Sequence, residues 1–170
     1  ALALQARQDA LFWDENDAGW FSTTGRDPSV LLRLKEDYDG AEPSPSAIGA
    51  LNLLTIGHLV GGGDWVDRAA RVLARFGAHP GAQARAMPML MSALAAWHAG
   101  GAQVLIVGDP SLPDTAARKR VLARRYLPFA VVVPVTPGLQ QERLAALLPW
   151  VASMVPRDGR ATAYVCRGFA

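Results

Sequence analysis

Cysteine is almost absent. Cys166 stands alone among 170 residues, which excludes a disulfide within the chain and any metal site built from several thiolates. A lone thiol fits a reducing, cytoplasmic setting. Long apolar runs are missing as well: no stretch reaches the roughly 18 residues that a membrane-spanning helix needs, so a soluble chain without a membrane partner is expected. Neither sign of charge dominates. Seventeen basic against fifteen acidic side chains leave a net +2, too balanced to mark a nucleic-acid partner.

The motifs of cofactor chemistry are missing too. No G-x-G-x-x-G follows a strand, no G-x-x-x-x-G-K-[ST] occurs, and Gly61-Gly62-Gly63 lacks both a lysine and a preceding strand, so no nucleotide cofactor is expected. His58, His79 and His98 lie far apart without H-E-x-x-H, and no metal is expected. Ser44 and Ser46 lack the G-x-S-x-G elbow of an exposed nucleophile.

What remains is half apolar, enough for a packed core. The first residues begin in mid-pattern with helix formers and no capping Ser, Thr or Asp, which suggests a fragment whose upstream part is missing. Leu2, Leu4, Leu11 and Phe12 predict a helix ending near Trp13. From Gly19 to Pro43 runs a long connection, and long ordered connections are often functional. Pro43 or Pro45 can open the next helix with Ser44 or Ser46 as cap, its stripe formed by Ile48, Leu51, Leu54, Thr55 and Leu59. The three glycines end it, Asp64 can cap the following helix, and Trp65, Ala69, Val72, Leu73 and Phe76 give that helix its apolar face. His79-Pro80-Gly81 breaks the chain again before a buried helix over 84–99.

At Gly100-Gly101 the period changes. Gln103–Gly108 reads as a strand buried on both faces, 116–126 as a basic amphipathic helix, and 130–135 as a second strand whose Pro134 belongs at an end or an edge. Residues 139–154 read as one helix and 161–166 as a third strand. The expected fold is therefore mixed α and β. Residues 1–100 form a helical-hairpin segment, and residues 101–170 a small three-stranded β-α-β-α-β unit, parallel with its strand order open.

Several side chains have chemical potential, each with a plainer alternative. The Val107-Gly108-Asp109-Pro110 corner is either the edge of a ligand crevice or a strand-to-helix turn. Arg118-Lys119-Arg120 with Arg124-Arg125 is a phosphate-binding run or a solvated helix face. Arg167 beside Cys166 would favour a redox-active thiolate if the side chain were exposed, whereas an alternating strand would bury it. The densest cluster is Arg33, Lys35, Glu36, Asp39, Gly40, Glu42, Pro43 and Ser44. It combines both charges, a flexible glycine and a helix N-terminus, which suits a polar or anionic ligand and a carboxylate for proton transfer. The same residues would equally make a solvated loop of local ion pairs.

The segments Gly19-Trp20-Phe21-Ser22-Thr23, Leu31-Leu32-Arg33-Leu34-Lys35-Glu36, Tyr38-Asp39-Gly40-Ala41-Glu42-Pro43-Ser44, Ala50-Leu51-Asn52-Leu53-Leu54 and Ala163-Tyr164-Val165-Cys166-Arg167-Gly168-Phe169 occur in that order. Together they resemble the C-terminal part of the thioredoxin-domain-containing proteins related to spermatogenesis-associated protein 20, and the likeness covers nearly the whole chain. It implies a thioredoxin-like domain upstream, then a helical toroid resembling six-hairpin glycosidases and N-acylglucosamine 2-epimerases, of which the helices here would be the last hairpins. It also implies a sugar-related site on the toroid axis, with Glu36 and Asp39 as catalytic carboxylates and Arg33, Lys35 and Ser44 as substrate contacts. Three departures stand out. Pro45, Ser46 and Ala47 follow Ser44 where the family reads P-S-G-N-S, Ala18-Gly19-Trp20-Phe21 replaces G-G-[FY]-F, and the chain stops before the position of a second cysteine.

The expectation is thus the C-terminal portion of a carbohydrate-active-like protein, inactive alone, whose polar loop contributes to a sugar site. Any activity of the parent would be that of a sugar isomerase, an epimerase or a glycosidase. The alternative is a non-catalytic structural or interaction module attached to a thioredoxin-like domain, able to self-associate through an exposed helical face.

Overall fold

The structure is a computed structural model and describes residues 1–77 and 84–167. It divides into two compact units, Ala1–Gly57 with Gly62–Ala99, and His58–Gly61 with Gly100–Ala170.

The first unit is helical: α1 (Leu2–Phe12), α2 (Pro45–Val60), α3 (Gly63–Gly77) and α4 (Pro88–Ala99). Helix α1 ends where Trp13 turns extended, at φ −64° and ψ 137°. Pro45 is the first residue of α2, a place where its missing N–H costs nothing. The Ser44 hydroxyl accepts the Ala47 amide at 3.3 Å, the bond of an N-cap to the third helical position. The buried face of α2 meets the expected stripe only in part, with Leu54 buried and Leu51 and Leu59 half-buried. Ile48 and Thr55 are exposed, while Ala47, Gly49, Ala50, Leu53, Leu54, Ile56 and Gly57 are buried. Small residues carry this face because Trp20 lies flat against it: a Cβ at Gly49 would stand 2.2 Å from the indole.

Helix α3 buries Ala69, Val72, Leu73 and Phe76, a stripe at i, i+3, i+4, i+7. Asp64 sits inside its first turn, not ahead of it. Helix α4 begins at Pro88 because proline lacks the N–H and biases the preceding residue away from helix, so Ala84–Ala86 forms a separate 3-10 turn. Leu90, Ala93 and Ala96 are its buried residues, and Trp97 is exposed. The expected break at His79-Pro80-Gly81 lies outside the described residues.

The second unit is a three-stranded sheet with helices, in chain order β1 (Ala102–Val107), α5 (Pro113–Ala123), β2 (Ala130–Val135), α6 (Leu139–Ala145) and β3 (Thr162–Arg167). The strand order is β2-β1-β3. Strands β1 and β2 run parallel, Ala102 opposite Ala130 and Val107 opposite Val135. Pro134 thus lies on an edge strand. Strand β3 corrects the all-parallel expectation, since it pairs antiparallel with β1, Val107 opposite Thr162 and Ala102 opposite Arg167. The end of β2 and the start of β3 both lie beside Val107, so their connection never returns along the sheet. A seven-residue α6, about 10 Å long, would not span a six-residue strand of about 20 Å.

The single helix expected over 139–154 is also corrected. Helix α6 stops at Ala145, Leu148 adopts φ −129° and ψ 81° ahead of Pro149, and a 3-10 stretch occupies Pro149–Ser153. These pieces cover one face of the sheet, where Leu105, Val107, Val135, Leu148 and Val151 form the core with Tyr164, Trp150, Met154 and this unit's own Leu59 and Val60 packed against it.

Candidate functional site

The polar cluster between residues 33 and 44 is built by the turn after α1. The Asp14 carboxylate accepts the amides of Asn16 and Asp17 at 3.0 and 3.3 Å. Ala18 and Gly19 then reverse the chain with φ of 52° and 82°. Only glycine fits at 19, where an added Cβ would lie 2.7 Å from the Phe76 ring. The reversal aims a nest of oxygens at Lys35. Its ammonium lies 3.0 Å from the Asp14 carboxylate, 2.9 Å from that of Asp17, 2.9 Å from the Ala18 carbonyl and 3.3 Å from the Asp17 carbonyl. The Lys35 side chain is 9% exposed. Asp17 also accepts Arg75 at 2.8 Å.

These contacts set the carboxyl groups. Burial, the largest single influence on Asp14, pushes its pKa up, but the hydrogen bond from Lys35 and those from the two amides together override it and hold it below the usual range. Asp17 is lowered first by its bond from Arg75 and then by that from Lys35.

Two residues earlier, Arg33 spreads its guanidinium over Phe21, 3.9 Å from the ring centre. Its Nε and Nη2 donate to the Thr23 carbonyl at 3.1 and 2.8 Å. The Ser22 amide donates to the Leu34 carbonyl at 2.8 Å, which keeps this stretch extended. Arg33 and Lys35 are accordingly half-buried on one side, while Leu32, Leu34 and Glu36 are exposed on the other.

Asp39 binds the ends of two helices. One carboxylate oxygen accepts the Ser44 amide at 2.8 Å, beside the start of α2, and the other accepts the Met89 amide at 2.6 Å, in the first turn of α4. Its own amide donates to the Ala86 carbonyl at 2.7 Å. Both helix N-termini thus face one negative charge, the favourable sense of the helix dipole. Ser44 is buried and capping α2. Of the five expected site residues, then, Arg33 and Lys35 meet at Phe21, Asp39 and Ser44 meet at the head of α2, and Glu36 lies on the surface.

Asp9 escaped the sequence reading. It accepts the Trp20 indole N–H and the Gln5 amide, each at 2.9 Å, and pairs with Arg68 at 2.9 Å. Only the Gln5–Asp9 spacing of one helical turn hinted at it. In the second unit, the Gly108–Pro110 corner folds on itself, with Asp109 accepting the Ser111 amide and hydroxyl at 2.8 and 2.6 Å. Cys166 is half-buried and lies opposite Gln103 in the β1–β3 ladder.

No helix among the described residues is long and apolar enough to cross a membrane. No family model matches the chain, and no solved structure does. Curated relatives do. Human spermatogenesis-associated protein 20 is 35% identical over 171 residues, covering 100% of this chain and 22% of the human protein. The rat protein of that name is 36% identical over 166 residues, 97% of this chain and 21% of its own length. An uncharacterized protein of Caenorhabditis elegans is 28% identical over 169 residues, 99% of this chain and 22% of its own. The chain spans about a fifth of the length of these relatives. Over that span, the chain is similar to spermatogenesis-associated protein 20, the similarity its ordered motifs pointed to.

Proposed function

We propose that this chain is a non-catalytic structural and interaction module of a longer protein, and that the extended stretch from Leu31 to Tyr38 is its docking strap. In that parent the helices of the first unit would be the last hairpins of a helical toroid, with a thioredoxin-like domain elsewhere in the chain. The observation that carries the reading is the commitment of the strap's polar groups to the chain itself. Lys35, with three protons, has four oxygens around it, and each oxygen of Asp39 holds a helix amide. A general acid or base needs an atom free to exchange a proton with substrate. Exposed apolar side chains run along the strap instead: Leu31 is 97% exposed, and Leu32, Leu34 and Tyr38 are all more than half exposed. Contiguous apolar side chains of that kind mark an interaction surface.

The rival reading, a sugar or sugar-derivative site completed by residues outside this chain, has Glu36 as its available carboxylate, since that side chain is exposed. One experiment separates the two. In the full-length protein, a Leu31→Glu, Leu34→Glu variant should lower the melting temperature and raise amide exchange across residues 30–37, while Glu36→Gln should leave any sugar binding unchanged. Equal stability and exchange in the leucine variant would defeat the docking strap. Sugar binding lost in a well-folded Glu36→Gln variant would establish the rival.

A further inference from the structure

We infer that Cys166 is a site of reversible oxidation by hydroperoxides, with Gln103 as the residue that holds the oxidised sulfur. Cys166 lines a cavity of about 60 Å³ in the second unit, together with Gln103, Trp150 and Met154. Gln103 and Cys166 are directly opposed in the antiparallel β1–β3 ladder, so their side chains stand on the same face within contact range. Gln103 is 1% exposed. Its Nε2 donates to the His58 carbonyl, which fixes the amide's orientation, and its Oε1 has no donor among the described residues. A buried acceptor left without a donor is costly, and native proteins rarely keep one without a reason.

Oxidation supplies that donor. The sulfur attacks one oxygen of hydrogen peroxide, the S–O bond forms as the O–O bond breaks, and the departing hydroxide takes the thiol proton to leave as water. Sulfur loses two electrons and the peroxide gains them. The product, Cys166–SOH, carries an O–H where the thiol had only a weak S–H. One oxygen needs about 30 Å³, the share of a water molecule, so the cavity accommodates it beside Gln103 Oε1. Held beside Gln103, the new oxygen occupies the space next to the sulfur that a second peroxide would need, so the sulfenic acid persists instead of proceeding to sulfinic acid.

The test uses the full-length protein, hydrogen peroxide, and mass spectrometry of the tryptic peptide 161–167, with dimedone to trap sulfenic acid. In the wild type the dimedone adduct should dominate over sulfinic and sulfonic forms. Gln103→Met keeps the length of the side chain but removes the acceptor, and should raise the ratio of over-oxidised peptide to adduct about fivefold, as the net worth of one hydrogen bond implies. Unfolding the wild type in urea before oxidation should raise the same ratio, whether or not the variant folds. Absence of adduct in the native protein, or a ratio unchanged by unfolding, would overturn the assignment.

Discussion

Truncating Asp39 should loosen the first unit at two places far apart in sequence. In Asp39→Ala the Ser44 and Met89 amides lose acceptors that stood 2.8 and 2.6 Å away. Hydrogen bonds to a charged group contribute about 1.5–3 kcal/mol each. The Ser44 amide sits beside the exposed stretch 41–43, where water can replace part of its bond. Met89 lies in the first turn of α4 and loses both its acceptor and the charge that offsets the helix dipole. The expected total is about 2–4 kcal/mol, against about 1 kcal/mol for removing the cap hydroxyl alone in Ser44→Ala. Asp39→Asn keeps a single acceptor oxygen and should lose about half the Ala value. Urea unfolding followed by circular dichroism measures the loss, and hydrogen exchange at the Met89 amide locates it. A loss under about 0.5 kcal/mol for Asp39→Ala, the range of neutral surface substitutions, with unchanged exchange at Met89, would refute the two-helix role.

Gly49→Ala should be costly for its size, because the new methyl would meet the Trp20 ring at 2.2 Å and Trp20 is held by Asp9 at 2.9 Å. A loss of about 1–3 kcal/mol is expected from overpacking, together with a changed near-UV tryptophan signal, and a melting temperature equal to the parent's would contradict the packing. His58 should make stability fall in mild acid. Its Nε2 accepts the Gly101 amide at 2.9 Å, which requires the neutral ring, and burial lowers its pKa from 6.5. Between that lowered value and 6.5 the unfolded chain binds more protons than the folded one, so stability is whole above pH 6.5 and declines as pH falls below it. His58→Gln offers an acceptor that does not titrate and should flatten the melting temperature between pH 7 and about 5.5; an unchanged slope would remove His58 as its source.

Local chemistry was legible in the sequence wherever a residue's role depends on its neighbours along the chain. Ser44-Pro45 announced the head of α2, and Pro134 announced an edge strand. What depends on distant partners was not. The acceptors of Lys35 lie 17 to 21 positions earlier, and Asp39 meets Met89 across 50 positions, so a cap at one end of a loop read as a free carboxylate. The direction of β3 was hidden for a similar reason. The alternation of helices and strands suggests parallel crossovers, but the break of α6 before Pro149 leaves the chain at the end of the sheet where β2 finished, and β3 enters from there. The α2 stripe missed at Ile48 and Thr55, which are exposed, because a flat indole packs on small residues, which carry little weight in a hydrophobic pattern.

A ligand-binding loop and a strap that ties helices together draw on the same residue types: paired charges, a glycine, a proline and a serine near a helix start. Composition cannot separate them, but the ledger of donors and acceptors can. For Asp39 to take a proton from a substrate, an oxygen would have to leave the Ser44 or Met89 amide, exposing a helix N-terminus at the moment of reaction. For Lys35 to bind a substrate anion, it would have to abandon the Asp14 and Asp17 carboxylates, which its charge helps to keep ionised. Both moves work against the forces that assemble the first unit. Glu36 has no such obligation, being exposed on the apolar side of the strap, next to Leu34 and near Tyr38. Of the two carboxylates expected to be catalytic, Glu36 is therefore the one still free of such ties. Leu34 and Tyr38 on either side of it argue that this face meets protein before it meets sugar.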